Sequence, residues 1–293
     1  FTVAQIIALL CCKMPLFDSV TTAFATAGTG GFSVKNASIA AYNSLPIEIV
    51  CTFFMLLFGI NFNLFYLIIV KQFKRAFKSE ELWTYIGIIV ISISIITINI
   101  LPLANSVGNA LRQAGFQVVS IITTTGFITA DYNNWPVLSQ FILVFLMFIG
   151  ACSGSTGGGL KVGRIIILFK SGIKELKRAI NPRKVQSLRL DNAALDKGTT
   201  SATCIYFVIY TMVIAVSILL VSLNSLDFST TFSSVATCIN NVGPGLSLVG
   251  PVENFNSLSG LTKLVLATDM LIGRLEVLPM IILFIPSTWK KST

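Results

Sequence analysis

Three short turns of the chain combine glycine with threonine or asparagine, residue types that can present oxygen atoms to a cation. Aligned on one glycine each, the turns read Thr29-Gly30-Gly31-Phe32, Thr124-Thr125-Gly126-Phe127 and Asn241-Val242-Gly243-Pro244. A cation that crosses a membrane must exchange its hydration water for protein oxygens, and backbone carbonyls supply these without a fixed charge that would trap the ion. Glycine permits the backbone conformations that direct successive carbonyls inward. The pattern therefore predicts three cation-binding turns.

The recurrence of the pattern gives it weight, because a single glycine-rich kink would be unremarkable. Each turn follows a short apolar segment, at residues 16–27, 106–122 and 227–239, too short to cross a bilayer core of roughly 30 Å. Non-helical backbone at membrane depth is tolerated only where it lines a cavity or is buried in protein. If the short segments are helices, their negative C-terminal ends favour cations. The predicted ion-binding residues are Thr29, Gly30, Gly31, Thr124, Thr125, Gly126, Asn241, Val242 and Gly243.

Two carboxylates, Asp18 and Asp227, lie near the starts of two of these short segments. A carboxylate there can accept hydrogen bonds from the free N–H groups of a helix N-terminus. We expect this capping role for both, with direct ion binding as the alternative.

A second glycine-rich segment, residues 150–159, interrupts a long apolar stretch near its middle. Its glycine spacing resembles a phosphate-binding P-loop, but Leu160 stands where that motif requires lysine, no Ser or Thr follows Lys161, and no strand precedes it. Nucleotide binding is therefore disfavoured. We expect a flexible segment below the turns that can block or clear the pathway. The predicted gating residues are Gly150, Ser153, Gly154, Ser155, Thr156, Gly157, Gly158, Gly159 and Arg274.

Arg274 lies well inside the last apolar stretch. An arginine within a membrane costs at least about 2.5 kcal/mol, so it should face a cavity or a partner. Facing the pathway, it would limit ion residence and hold the glycine-rich segment through carbonyl contacts. The alternative is an ion pair with Asp269 or Glu276 that only anchors packing.

The elements that would position these residues are membrane helices. Five stretches, 45–70, 82–104, 135–170, 200–223 and 258–286, are apolar enough to span a bilayer. The order of spanning helix, short helix, glycine-rich turn, spanning helix and basic residues occurs three times. We therefore predict an all-α polytopic membrane protein of repeated helix–loop–helix units, at residues 1–80, 81–198 and 199–293.

Composition supports a membrane protein and excludes several other classes. Hydrophobic residues make up 54% of the 293, and charged residues only 11%, against about 25% charged in a soluble domain. The net charge of +9 comes from basic clusters that follow apolar stretches, at 71–78, 161–197 and 290–291. This distribution is typical of cytoplasmic loops and argues against nucleic-acid binding. No histidine is present, and the six cysteines show no metal-binding spacing, so neither an enzyme nor a bound metal cofactor is expected.

Several stretches of the chain resemble the Trk/Ktr/HKT superfamily of potassium transporters, and within it the bacterial Trk-type membrane subunit. They are residues 27–33 (AGTGGFS), 123–136 (TTTGFITADYNNWP), 150–164 (GACSGSTGGGLKVGR), 236–246 (ATCINNVGPGL) and 273–276 (GRLE). The likeness runs through nearly the whole chain in the right order.

The resemblance implies a pore of four helix–loop–helix units with pseudo-fourfold symmetry, of which three lie in this chain and an N-terminal fourth lies outside it. It implies that Gly31, Gly126 and Gly243 are filter glycines, that residues 150–159 form an intramembrane gating loop, and that Arg274 lies beneath the filter. A homodimer and a cytosolic nucleotide-binding regulatory subunit are the implied partners, besides membrane lipid.

The resulting hypothesis is potassium uptake across the plasma membrane, the inner membrane of a bacterium, with the basic loops in the cytoplasm and no covalent cofactor. Potassium is the expected substrate. Three alternatives stay open: a sodium-permeable pathway, transport coupled to sodium or protons, and a non-transporting membrane scaffold. A membrane enzyme or nucleotide-dependent pump subunit is disfavoured because histidine, a paired-carboxylate motif and a complete P-loop are absent.

Overall fold

The computed structural model describes residues 1–181, 187–191, 193–275, 279, 280 and 282. Within these residues the protein is built of α-helices, which confirms the predicted fold class. The helices are α1 Thr2–Cys11, α2 Leu16–Ala27, α3 Leu45–Gly59, α4 Phe62–Ile69, α5 Phe73–Ala76, α6 Glu80–Ile100, α7 Val107–Ile122, α8 Val137–Ile149, α9 Val162–Ile180, α10 Lys197–Ser222, α11 Phe228–Ile239 and α12 Gly260–Leu275. A two-residue hairpin pairs β1 Arg189–Leu190 with β2 Ala193–Ala194 in antiparallel register.

The short apolar segments form helices α2, α7 and α11, within a residue or two of their predicted limits. Two of them begin at side-chain caps, because Ser106 accepts from the backbone N of Asn109 and Asp227 from that of Thr230. Residues 116–127, at the end of α7 and in the turn beyond it, are all buried. Helix α11 is buried along most of its length. The C-terminal half of α7 and most of α11 therefore lie inside the protein, as expected of segments that cannot span the bilayer themselves.

The long apolar stretches give fewer continuous spans than predicted. Among the residues that the structure describes, two helices, Glu80–Ile100 and Gly198–Ser222, are long and apolar enough to cross a membrane, and a third span is obtained if α3 and α4 are taken as one broken helix. The predicted single helix over 45–70 is wrong, since α3 and α4 are bent by 89°. The stretch 135–170 is interrupted at residue 150 as predicted, and 258–286 ends largely outside the described residues.

The bend between α3 and α4 is stabilised by a local cap and by contacts with a distant segment, which the sequence did not reveal. Asn61 accepts a hydrogen bond from the backbone N of Asn63 and caps α4. The backbone N of Cys152 donates to the Gly59 carbonyl at 3.0 Å, and that of Phe62 donates to the Gly154 carbonyl at 3.2 Å. The glycine-rich loop, residues 150–159, therefore satisfies the backbone groups that the bend leaves free.

The helices pack into a common core that fixes the short helices relative to one another. The largest buried cluster joins α1, α3, α6, α7, α8 and α9, and includes Leu9, Met55, Ile96, Ile122 and Leu143; Ala25 of α2 packs against it. A smaller cluster packs α11 against α10 and α12 through Val221, Val235, Cys238 and Leu266. This packing brings the C-terminal ends of α2, α7 and α11 together.

Candidate ion pathway at three converging turns

The three short helices end in the same backbone motif. After α2, the backbone N of Gly30 donates to the Ala25 carbonyl at 2.8 Å. After α7, the backbone N of Thr125 donates to the Ser120 carbonyl at 2.9 Å, and after α11, that of Val242 donates to the Thr237 carbonyl, also at 2.9 Å. Each of these is the six-to-one hydrogen bond of a Schellman C-cap. The repeat inferred from the turns therefore extends to individual backbone hydrogen bonds.

In each motif one residue must adopt the left-handed backbone conformation, and this residue is threonine or asparagine rather than glycine. Thr29, Thr124 and Asn241 have φ values of 48°, 55° and 56°. For a β-branched threonine this conformation is a genuine outlier, and such strain persists only where the surroundings enforce it. Two residues later, Gly31, Gly126 and Gly243 also have positive φ, at 65°, 80° and 110°. In all three turns, therefore, a non-glycine residue in the left-handed region lies two positions before the predicted filter glycine.

Neighbouring turns approach each other so closely that no side chain would fit between them. A Cβ atom added to Gly31 would lie 2.1 Å from the Thr125 carbonyl oxygen, and one added to Gly126 would lie 2.0 Å from the Val242 carbonyl oxygen. The first turn therefore abuts the second, and the second abuts the third. The corresponding place beside Gly243 is open, because no atom of the described residues lies within 4 Å of a Cβ added there.

The open position faces a cavity between the third turn and the first. This cavity of about 730 Å³ is lined by Thr21, Phe24, Ala25, Gly28, Thr29, Gly30, Phe32, Asn241, Val242, Gly243, Met270 and Arg274. On the first-turn side, Phe24 is 64% exposed and Phe32 is 82% exposed. Turns one to three thus form three consecutive sides of an arrangement that is open on the fourth.

The glycine-rich loop contacts all three turns at the helix ends. Thr29 Oγ1 donates to the Thr156 carbonyl at 3.0 Å, and the backbone N of Gly158 donates to Thr124 Oγ1 at 2.6 Å. A Cβ added to Gly158 would lie 2.4 Å from the Asn240 carbonyl oxygen. The loop therefore runs along the ends of α2, α7 and α11, and the glycines allow its backbone to approach this closely.

Arg274 joins the loop to the first turn. Its Nη2 donates to the Gly28 carbonyl at 2.9 Å, and its Nη1 donates to the Thr156 carbonyl at 3.2 Å. The alternative ion pair with Asp269 is absent, since Asp269 Oδ1 instead accepts a hydrogen bond from Ser217 Oγ at 2.6 Å. Glu276, the other candidate partner, lies outside the described residues. Arg274 thus places a positive charge at the wall of the cavity.

Further residues that hold the loop were missed by the sequence analysis. Glu81, only 7% exposed, accepts a hydrogen bond from the backbone N of Ser153 at 2.6 Å. A Cβ on Gly163 would lie 2.8 Å from the same carboxylate oxygen, so α9 also begins against Glu81. Lys161 donates to the Gly157 carbonyl. A glutamate at the start of an apolar helix carried no signal of this contact, because its partner lies about 70 residues away.

The two acidic residues at the starts of short helices behave differently. Asp227 caps α11, with Oδ2 accepting from the backbone N of Thr230 at 3.0 Å. Burial by itself would raise its pKa, but hydrogen bonds from Thr230 hold the pKa of Asp227 below its usual value. The capping prediction for Asp18 is wrong, because Asp18 is the third residue of α2, behind Pro15 as N-cap. Asp18 Oδ2 instead accepts the Tyr42 hydroxyl at 2.6 Å.

Comparison with known proteins shows which family the chain resembles. A family model described as TrkH, cation transport protein, matches residues 9–291. The Trk system potassium uptake protein TrkH of Salmonella typhimurium is 39% identical over 99% of this chain and 60% of its own length, and that of Escherichia coli K12 is 40% identical with the same coverage. The crystal structure of the potassium transporter TrkH from Vibrio parahaemolyticus matches with a TM-score of 0.91 and 35% identity, over 99% of this chain and 62% of that one. The chain therefore spans about three fifths of the length of these relatives.

Proposed function

This chain belongs to the TrkH family of cation transport proteins, and from that premise we propose that it forms three sides of a pathway for potassium uptake. The relatives named as potassium uptake proteins are transporters rather than enzymes, in agreement with the non-enzymatic function predicted from the sequence. The observation that carries the proposal is the set of three equivalent turns, of which the first abuts the second at Gly31 and the second abuts the third at Gly126.

In the proposed pathway, potassium is coordinated by the turns at Thr29 to Gly31, Thr124 to Gly126 and Asn241 to Gly243. The C-terminal ends of α2, α7 and α11 converge there, and the partial negative charge of helix C-termini attracts cations. Backbone oxygens replace hydration water while leaving no full negative charge to hold the ion. Contact between neighbouring turns limits how far each can relax, which supports a fixed spacing of oxygen atoms.

The proposed ring has a fourth side, between Gly243 and the first turn, that is formed by residues outside this sequence. Two features support this assignment. An added Cβ at Gly243 meets open space where the equivalent glycines meet a neighbouring carbonyl, and Phe24 and Phe32 are largely exposed on the other flank. A further helix–loop–helix unit of the same kind would cover both.

The gate in this proposal is the glycine-rich loop together with Arg274. The loop crosses the pathway on the side of the helix C-termini, where Thr156 and Gly158 bond to the first and second turns. An ion leaving the turns in that direction would meet the loop backbone and the Arg274 guanidinium. Opening therefore requires the loop to release its contacts with Thr29, Thr124 and Arg274.

The proposed setting is a plasma membrane with the basic segments on the cytoplasmic side. Lys and Arg are retained preferentially in short cytoplasmic loops, and α9 ends with Lys177 and Arg178 in its last turn. In the proposed assembly the protein is a homodimer, and a cytosolic nucleotide-binding subunit regulates it. The apolar outer surfaces, with residues such as Phe141 and Phe145 exposed, would contact membrane lipid.

Replacement of Gly126 tests the proposal. In the full-length protein, Gly126→Ala should reduce saturable potassium or rubidium uptake at least tenfold, because the added Cβ would lie 2.0 Å from the Val242 carbonyl oxygen and the residue has a φ of +80°. The matched control is Gly87→Ala in α6, where an added Cβ meets no atom within 4 Å.

The experiment also separates the alternatives. Normal uptake by well-expressed Gly126→Ala protein would contradict the proposal, and absence of uptake by the parent protein would favour a scaffold. Competition between sodium and rubidium in the same assay distinguishes potassium selectivity from sodium permeation. A dependence of uptake on a sodium or proton gradient would identify coupled transport.

A further inference from the structure

A buried carboxyl group lies behind the third turn, outside the contacts of the pathway. Asp269 is the tenth residue of α12 and is only 2% exposed. Its Oδ1 accepts the Ser217 hydroxyl of α10 at 2.6 Å. Its Oδ2 is sealed from solvent and has no hydrogen-bond partner among the residues that the structure describes.

No cation within the described part of the chain compensates this carboxyl group. The nearest basic residues on α12 are Lys263, which donates to the Asn256 carbonyl, and Arg274, which donates to Gly28 and Thr156. Helix α10 carries no charged side chain from residue 198 to 222, and α11 carries none from 228 to 239. The titratable groups of these two helices nearest to Asp269 are the Cys238 thiol, 1% exposed, and the Tyr210 hydroxyl, which is bonded to Asn240.

The surroundings of Asp269 are apolar. Together with Ser217 it lines a groove of about 540 Å³ between α10 and α12, whose other walls include Met212, Val213, Val265 and Ile272. An ionised carboxylate in such a place, with one hydrogen bond for two oxygens, loses most of its solvation without replacement. An intramembrane acid without a cation is therefore far more stable when neutral.

We propose that Asp269 is a proton-binding site, with the proton carried on Oδ2 and Oδ1 accepting the Ser217 hydroxyl. A metal cation fits this place poorly, because Asp269 and Ser217 supply three oxygens, whereas hard cations such as magnesium and calcium take six or more. Within the described residues no cluster of acidic, cysteine or histidine ligands surrounds it. A single proton neutralises the carboxylate without further ligands.

The position of Asp269 connects the bound proton to the third turn. The carbonyl of the next residue, Met270, accepts Asn241 Nδ2 at 3.2 Å. A Cβ added to Gly273 would lie 1.8 Å from the Ile239 carbonyl oxygen, so α12 packs directly on the end of α11. Loss of the proton would draw water or a cation between α10 and α12, and thereby loosen the packing that supports Asn241.

Infrared spectroscopy of the full-length protein in lipid at about pH 7 tests the proposal. The spectrum should contain the C=O stretching band of protonated carboxyl groups. Asp269→Asn should lower the intensity of this band by the contribution of one carboxyl group. The control is Asp227→Asn, since Asp227 is exposed and its pKa is lowered by hydrogen bonds from Thr230. That substitution should leave the band unchanged.

A second variant distinguishes this assignment from a merely structural effect. In Ser217→Ala the band should persist and move to higher frequency, because a hydrogen bond to the carbonyl oxygen lowers the stretching frequency and this variant removes it. Identical spectra of the parent protein and Asp269→Asn between about pH 5 and pH 9 would overturn the proposal. Because the infrared measurement does not involve transport, its result tests this proposal independently of the uptake assay.

Discussion

At the scale of single residues, the proposed pathway depends on backbone conformations that residues with side chains ordinarily avoid. Thr29 and Thr124 occupy the left-handed region although both are β-branched, at a cost of order 1 to 3 kcal/mol each. Their hydroxyl groups reach the glycine-rich loop, where Thr29 donates to Thr156 and Thr124 accepts from Gly158. A glycine would remove the strain but also the contacts with the loop.

Arg274→Ala should increase potassium flux severalfold if the guanidinium restricts the pathway. The substitution removes hydrogen bonds to the Gly28 and Thr156 carbonyls and deletes a positive charge beside the route of the cation, which lowers the electrostatic barrier. Rubidium uptake by proteoliposomes measures the effect. Lys263→Ala on the same helix is the control, because Lys263 donates only to the carbonyl of Asn256.

Unchanged or lower flux in Arg274→Ala, with normal expression, would show that Arg274 has a structural role instead. Arg274→Lys gives a useful intermediate case. It keeps the charge, but an ammonium group lacks the planar fork that lets one guanidinium bond two carbonyls.

At the scale of elements, the glycine-rich loop and the bend between α3 and α4 form one structure. Cys152 and Gly154 bond the backbone on either side of the bend, and Glu81 of α6 accepts from Ser153. The loop therefore has an anchored first half, residues 152–154, and a second half, residues 156–158, that contacts the turns. Movement of the second half alone could open the pathway without unfolding the anchor.

Asn61→Ala should destabilise the protein by about 1 kcal/mol, because it removes the side-chain cap of α4. In a protein of this size the apparent melting temperature in detergent should fall by roughly 2–4 °C. Asn63→Ala is the matched control, since Asn63 is exposed and uses its backbone N in the cap. Equal melting temperatures of the two variants would show that α4 does not depend on this cap.

At the scale of the whole molecule, the arrangement of the three units sets which side of the membrane each loop faces. Each turn is followed by a segment that leads to α3, α8 or α12, and the basic end of α9 follows after α8. Charge is distributed unevenly as a result, with Lys174, Lys177 and Arg178 concentrated in α9. The positive-inside rule predicts that the basic end of α9 lies in the cytoplasm.

Cysteine labelling checks this orientation. In a background with the six native cysteines replaced by serine, Glu253→Cys should react with a membrane-impermeant maleimide in intact cells. Lys177→Cys should react only after permeabilisation. Both positions are exposed, so accessibility within the protein does not confound the result, and the reverse labelling pattern would contradict the proposed topology.

Much of the fold could be predicted from the sequence because hydropathy and glycine act locally. The limits of α2, α7 and α11 followed from apolar runs that end at glycine-containing turns, and the cap at Asp227 followed from its position before α11. The break at residue 150 followed from the density of glycine. Resemblance to a known family assigned roles to Gly31, Gly126, Gly243 and Arg274, and these roles stay predictions.

Other features depend on distant partners and had no local signature. The bend at residues 60 and 61 contains no proline, and its free backbone groups are satisfied by a loop some 90 residues later. Asp18 was expected to cap its helix, but its carboxylate accepts a hydrogen bond from the Tyr42 hydroxyl, a contact that the sequence could not predict. Asp269 looked like a candidate partner for Arg274, whereas the packing of α12 turns it towards Ser217.

The sequence by itself determined a helical membrane protein with three glycine-containing turns at equivalent places, because periodicity, hydropathy and backbone freedom are properties of short segments. Only the tertiary structure decided that each of the first two turns abuts the next, that residues 156–158 contact them, and that Asp269 has no cation beside it among the described residues. Those facts depend on which surfaces meet when α2, α7, α11 and α12 pack, and packing is set by the shapes of residues far apart in the chain.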